Sequence, residues 1–221
     1  MEFFDVKVLK VEVLTHDTNL FRVEKPEGFT HKIGQAVWIA LSSAPDALKR
    51  PYTLASLPSD SFIDFIIKSY SEREGLSRET HKLVVGNNIF ISKAFGPDLL
   101  SVIGDSSVFV AAGCGITKFL ALLRTLKNSN SIDNYYLFYS NKTKSDVVLE
   151  DFLRELFSSC PNNLVLTLTR ESNEGFFNGR IDKEFFINHL PSGVNGKKLF
   201  VCGPSEFSKA VSDAFNELSA E

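Results

Sequence analysis

The stretch Ser107-Val108-Phe109-Val110-Ala111-Ala112-Gly113-Cys114-Gly115-Ile116-Thr117 runs from an apolar segment directly into a glycine-punctuated turn. An unbroken apolar run of this length reads as a strand buried on both faces, the hallmark of a parallel sheet. A mostly apolar helix follows from Ile116 to Lys127. Downstream the alternation continues. Tyr135-Tyr136-Leu137-Phe138-Tyr139 predicts a strand, and Leu149, Phe152, Leu153, Leu156 and Phe157 predict one helix face. Leu164 to Thr169 predicts a third strand, Asp182 an N-cap for a helix through Leu190, and Leu199 to Cys202 a fourth strand. A last helix places Phe207, Ala210, Val211, Ala214, Phe215 and Leu218 on its apolar side. Strand and helix in alternation predict an α/β domain with a parallel sheet over residues 105–221.

Upstream the pattern changes. Val6 to Val13, Phe21 to Glu24, Val37 to Leu41, Phe62 to Lys68 and Asn88 to Ser92 are short, largely alternating segments. Turn residues separate them, such as Pro26-Glu27-Gly28, Ile33-Gly34-Gln35, Leu57-Pro58-Ser59-Asp60 and Gly86-Asn87. This punctuation predicts an antiparallel β-barrel or sandwich over residues 1–104. One helix interrupts it from Ser77 to about Leu83, with Ser77 as its expected N-cap. The 221 residues therefore read as two small domains.

Composition narrows the function classes. Lys plus Arg total 24 against 27 Asp plus Glu, so the net charge is −3 and the basic excess of a nucleic-acid binder is missing. No apolar run reaches the roughly 18 residues of a membrane span. Acidic residues at Glu2 and Asp5 oppose a signal peptide, and a cytoplasmic location is expected. Cys114, Cys160 and Cys202 are too scattered for a disulfide scaffold or a metal site, and the four histidines lack ligand spacing. No metal is expected. The 20 phenylalanines are read as core filling.

Three segments carry chemistry. Lys49-Arg50-Pro51-Tyr52-Thr53 sets a cation, an aromatic ring and a hydroxyl along an extended stretch. Arginine's planar fork suits phosphate, tyrosine stacks on flat rings, and threonine bonds a ring nitrogen. An exposed Arg50 beside a core Tyr52 is the plain alternative. Gly113-Cys114-Gly115 before a helix suits a pyrophosphate, although such a turn also serves tight packing. Cys202-Gly203-Pro204 ends the last strand in the same manner.

Taken in order, Arg50-x-Tyr52-Thr53, Gly75-Leu76-Ser77, Gly113-Cys114-Gly115-Ile116-Thr117 and Cys202-Gly203-Pro204 resemble the ferredoxin–NADP reductase family. Ile33-Gly34-Gln35 and Ala94-Phe95-Gly96-Pro97 extend the resemblance nearly end to end. It implies a flavin-binding barrel followed by a nicotinamide-nucleotide domain. Arg50 and Pro51 would meet flavin phosphate, Tyr52 the isoalloxazine, and Thr53 its reactive nitrogen. Ile66, Ile67 and Lys68 would line the flavin, and Gly75, Leu76 and Ser77 would hold a pyrophosphate, which favours FAD over FMN. Gly113, Gly115, Ile116 and Thr117 match the dinucleotide turn. Cys202, Gly203 and Pro204 match the segment beside the nicotinamide. Thr53 and Cys202 are the implied catalytic positions, Cys202 by packing and positioning and not as a nucleophile.

Lys142, Arg170 and Arg180 resemble the 2′-phosphate positions of NADPH-using members, so NADP(H) is favoured over NAD(H), with Glu171 and Glu174 against it. Two departures stand out. Lys118 replaces the family's usual Pro, and the chain ends at Glu221 without an aromatic tail, leaving the flavin face open. The expected activity passes hydride to FAD and single electrons to a separate ferredoxin or flavodoxin. The alternatives are a reductase of free flavin and a non-catalytic flavin-binding electron-transfer or regulatory subunit.

Overall fold

The computed structural model describes residues 2–44, 46–70 and 74–220; the chain ends Met1 and Glu221 lie outside them. The chain divides into two compact units, Met1–Val102 with Thr117–Leu122, and Ile103–Ile116 with Leu123–Glu221.

The first unit contains β1 (Phe3–Thr15), β2 (Thr18–Glu24), β3 (Ala36–Ala40), β4 (Lys49–Thr53), β5 (Phe62–Lys68) and β6 (Asn88–Ser92). They form an antiparallel six-stranded sheet in the order β4-β3-β6-β1-β2-β5. β1 serves two neighbours in succession, pairing Phe3–Lys7 with β6 and Val8–Thr15 with β2. Register irregularities at Val8/Lys10 and Val13/Thr15 bend it, as bulges do. Just past β4, Ala55 N donates to Asp64 O at 2.9 Å and Asp64 N donates to Ser56 Oγ at 3.2 Å, drawing the two edges toward closure. The expected alternation holds inside: Val6, Val8, Phe21, Val23, Val37, Ile39, Ile63, Phe65, Ile67, Ile89 and Ile91 share one core.

α1 (Leu76–Thr80) and α2 (Leu99–Val102) also belong to this unit. Ser77 is not the N-cap of α1. Gly75 takes that place, at φ 152°, and Ser77 is the second helical residue, its carbonyl accepting from Thr80 Oγ1 at 2.8 Å. Leu76 must enter the core, and that pull sets the helix start two residues earlier than a hydroxyl cap would.

The second unit contains β7 (Ser107–Ala112), the second half of α3 (Thr117–Asn128, whose Thr117–Leu122 groups with the first unit), β8 (Tyr135–Asn141), α4 (Glu150–Leu156), β9 (Leu164–Leu168), β10 (Phe177–Asn178), α5 (Lys183–His189), β11 (Lys198–Cys202) and α6 (Ser205–Ser219). The sheet is parallel, ordered β10-β9-β8-β7-β11. Successive strands run outward from β7 to β10, and β11 returns to the other side of β7. The order therefore reverses at β7, and an open α/β sheet binds ligands beyond the carboxyl ends of strands at such a point.

One face packs Val108, Val110 and Phe138 against Phe185 and Phe186 of α5 and Val211 and Phe215 of α6. Asp182 caps α5 as expected, accepting from Phe185 N at 2.9 Å. The two-residue β10 has no apolar run and is absent from the sequence reading. α4 is also shorter than expected: Leu149 stands before it at φ 59°, outside the helical stripe. On α6 Ala210 is exposed, whereas Val211, Ala214 and Phe215 are buried and Phe207 and Leu218 pack partly against the same core. Core filling by phenylalanine holds for Phe65 and Phe109, both fully buried, whereas Phe90, Phe152 and Phe200 are half-buried.

Candidate functional site

In the first unit, Pro51 explains the placement of the Arg50–Thr53 segment. Proline cannot donate to a ladder and so belongs on an edge strand, where β4 lies. Arg50 is exposed, with Nη1 donating to Lys49 O at 3.1 Å. Tyr52 is half-buried against the core, so the ring is braced from behind. Thr53 closes the strand opposite Ala36.

Gln35 holds that end of β4. Its carbonyl accepts from Leu54 N at 3.0 Å, its Oε1 accepts from Lys32 N at 2.8 Å, and its Nε2 donates to Gly96 O at 2.8 Å. Gly34, at φ 81°, lies directly against Leu99, where a Cβ would clash. Ile33-Gly34-Gln35 is therefore the bracket of the Arg50–Thr53 strand.

On β5, Ile67 belongs to the core, while Ile66 and Lys68 point to the other face by strand alternation. Ile66 is buried, and Lys68 Nζ pairs with Asp17 Oδ2 at 2.7 Å. His81 Nε2 lies 2.8 Å from Ile67 O, tying α1 to this strand. Gly75 sits in a backbone region that side chains rarely enter, and no atom of the described residues lies within 4 Å of where its Cβ would be. Among the described residues, the space where that side chain would project is open.

In the second unit, Gly113 has φ 51° and again open space where a Cβ would project. Gly115 is the opposite case. A Cβ there would strike the carbonyl of Cys202 and come within 3.2 Å of Gly203 N. Gly203 is equally confined: a Cβ there would lie 2.8 Å from Phe207 Cδ1 and 3.0 Å from the Ala112 Cβ. The two glycine motifs thus interlock at the sheet reversal. Gly113–Ile116 forms a 3-10 turn, in which Ile116 is fully buried, and Thr117 starts α3. Cys202 is half-buried and pairs with Ala111; Cys114, Cys160 and Cys202 are not disulfide-bonded among the described residues. Pro204 caps α6 at φ −55°.

The three cations expected near a 2′-phosphate follow neighbouring strands. Arg170 N donates to Lys142 O at 2.9 Å, joining the ends of β8 and β9, and Gly179 N donates to Leu168 O just before Arg180. All three are exposed. Glu171 is occupied otherwise: its Oε2 accepts from Lys144 N at 3.0 Å and its Oε1 accepts from Asn173 Nδ2 at 3.2 Å.

Residues 3–95 match the FAD-binding domain model, and residues 109–213 match the oxidoreductase NAD-binding domain model. A ferredoxin NADP+ reductase from Neisseria gonorrhoeae, solved with bound FAD and NADP, superposes with a TM-score of 0.85. It is 19% identical, and the match covers 99% of this chain and 92% of that one. The chain belongs to the ferredoxin–NADP reductase family. It is a flavin-dependent pyridine-nucleotide oxidoreductase. The cytochrome b5 reductase domain of Ulva prolifera nitrate reductase shares this fold at TM-score 0.81 and 19% identity, over all of this chain and 94% of that one. An NADH-cytochrome b5 reductase 2 from Yarrowia lipolytica is 28% identical over 96% of this chain and 77% of its own length.

Two features of this reductase chain lie outside the sequence reading. Asp17 occupies the β1–β2 turn beside Lys68, and its turn-forming type was the only local sign of it. Asn141, at the end of β8, is 6% exposed, and neither polar atom of its amide has a hydrogen-bond partner among the described residues. Tyr139, two residues back on the same strand face, has its hydroxyl pushed upward in pKa by burial. Its hydroxyl accepts from Val148 N at 3.3 Å and feels the Asn141 amide without hydrogen-bond alignment. No described helix is long and apolar enough to cross a membrane.

Proposed function

We propose that the chain takes hydride from a reduced nicotinamide nucleotide onto FAD held by the first unit, then passes single electrons to a separate carrier protein. The observation that carries this reading is a contrast among glycines. Gly75 and Gly113 combine positive φ with open space, whereas Gly115 and Gly203 are filled by their own neighbours. Open glycines ahead of helix starts leave backbone N–H groups accessible to a pyrophosphate. Gly75 in the first unit and Gly113 in the second are such places, and both lie in segments the family resemblance names.

A bound flavin would supply the exchange between two-electron and one-electron chemistry. The chain's part is to bind and orient. Arg50 would hold phosphate, Tyr52 would back the ring system, and Thr53 would offer its hydroxyl at the strand end. Gly75, Leu76 and Ser77 would supply the loop for the second phosphate, Leu76 through its backbone because its side chain is in the core. Gly113, Gly115, Ile116 and Thr117 would carry the nucleotide, with Gly115 acting by packing. Cys202, Gly203 and Pro204 would set the floor beside the nicotinamide.

Lys142, Arg170 and Arg180 favour NADPH, and Glu171 does not oppose a 2′-phosphate because its carboxylate is engaged by Lys144 N and Asn173. The acceptor is a one-electron protein, ferredoxin or flavodoxin by the resemblance. The relatives named NADH-cytochrome b5 reductase add a haem protein of that kind and NADH as the competing donor. The test is anaerobic mixing of the purified yellow protein with NADPH and with NADH. Bleaching with either supports the reading, and the faster donor sets the preference. A flavin-replete chain that neither nucleotide bleaches would overturn it.

A further inference from the structure

We propose that Asp17 is a positioning residue for Lys68, fixing where the Lys68 ammonium stands at the end of β5 and how much of its charge reaches the flavin. The inference rests on the reading that β5 lines the flavin.

The β1–β2 turn consists of His16 and Asp17, between the paired residues Thr15 and Thr18. Asp17 is held from several sides. Its carboxylate accepts from Thr18 Oγ1 at 2.9 Å and from Thr15 Oγ1 at 3.1 Å, and His16 Nε2 lies 3.4 Å away. The Lys68 ammonium approaches Asp17 Oδ2 at 2.7 Å, with about three-quarters of each side chain covered. The backbone repeats the contact: Ser69 N donates to Asp17 O at 2.7 Å, and Thr18 pairs with Lys68. One turn residue therefore clamps both the main chain and the side chain at the end of β5.

A lysine alone is a mobile point charge on a four-carbon stem. A carboxylate itself locked by two threonine hydroxyls turns it into a fixed one, and a largely covered ion pair is screened less than an exposed one. Charge beside a flavin is one of the protein's means of tuning its electronics. A cation eases the addition of electrons, and its partner anion offsets that effect. The pair thus makes a definite prediction of sign.

The experiment measures the midpoint potential of bound FAD in wild type, Asp17→Asn, Lys68→Met and the double variant, with visible spectra to confirm equal flavin content. Asp17→Asn should raise the potential and Lys68→Met should lower it, with the double variant between them. Thr18→Val, which removes one hydroxyl and neither charge, should leave it nearly unchanged. In flavin-free protein, nitrogen-15 spectra should show an ordered Lys68 ammonium that becomes mobile in Asp17→Asn, a test that needs no cofactor. An ammonium equally mobile in both, or potentials that stay put or move in the same direction while FAD remains bound, would overturn the inference alone. A wild-type chain that holds no FAD would overturn the underlying reading and the flavin part of this one with it.

Discussion

Gly115 rests directly on the backbone of Cys202, so close that a methyl group there has no room. The turn after β7 and the end of β11 are one joint, and neither moves without the other. Gly115→Ala should therefore destabilise the second unit by about 1–3 kcal/mol through overpacking against rigid backbone. It should also weaken nucleotide binding. Gly113→Ala, with open space but left-handed φ, should cost roughly 1–2 kcal/mol from conformation alone. Denaturant unfolding of both variants, with nucleotide titration, separates the two causes.

Arg50 offers a planar fork on an edge strand. Arg50→Lys keeps the charge and loses the fork. A charged hydrogen bond contributes about 1.5–3 kcal/mol, so FAD affinity should fall roughly ten- to hundredfold. Fluorescence on reconstitution of the flavin-free protein measures it.

The Gln35 bracket can be removed without touching the proposed ligand positions. Gln35→Ala deletes two side-chain hydrogen bonds of roughly 0.5–1.5 kcal/mol each. Urea unfolding should show a loss within that sum, and hydrogen exchange at Leu54 should quicken.

Nucleotide preference should respond to the strand-end cations. Arg170→Ala and Arg180→Ala should reduce kcat/KM for NADPH and leave the NADH value close to wild type. Equal losses with both donors would place these arginines away from the 2′-phosphate.

Stability should fall on acidification in two windows. His31 is buried, and that burial holds its pKa below the usual value, partly countered by Ser56 O. A depressed histidine adds stability above its unfolded pKa of about 6.5, and that stability is lost as pH falls through the folded value. Asp17 is also depressed: burial raises it, but hydrogen bonds from Lys68 and Thr18, the Lys68 charge and Thr15 outweigh this. Its contribution is present above the unfolded pKa of about 3.9 and disappears as pH falls through the lower folded value. Tm against pH should therefore drop in a His31 step below about pH 6.5, absent in His31→Leu, and in a further acid step, smaller in Asp17→Asn.

What could be read from the sequence was whatever repeats or punctuates. The apolar run at 107–112, the Asp182 cap and the alternation through β5 depend on local periodicity, and the structure shows them as expected. The start of α1 went to Gly75 because Leu76 must reach the core, a tertiary demand that no cap rule contains. Gly115 was legible as a glycine but not in its partner, since Cys202 is far along the chain. Asp17 reaches Lys68 across a distance its turn-forming type does not reveal, and Ile33-Gly34-Gln35 was legible as a motif but not in its hold on Leu54 and Gly96.

The path of β1 has a consequence for how the protein is made. One end of this strand pairs with its immediate successor, while the other must wait for β6, at residues 88–92. In the second unit β7 waits for β11, close to the end of the chain. Local hairpins form early, and pairings between distant segments form late. The joint between Gly115 and Cys202 is therefore among the last contacts to assemble as the chain leaves the ribosome. A nascent chain completes its flavin-binding unit before it acquires the means to reduce the flavin.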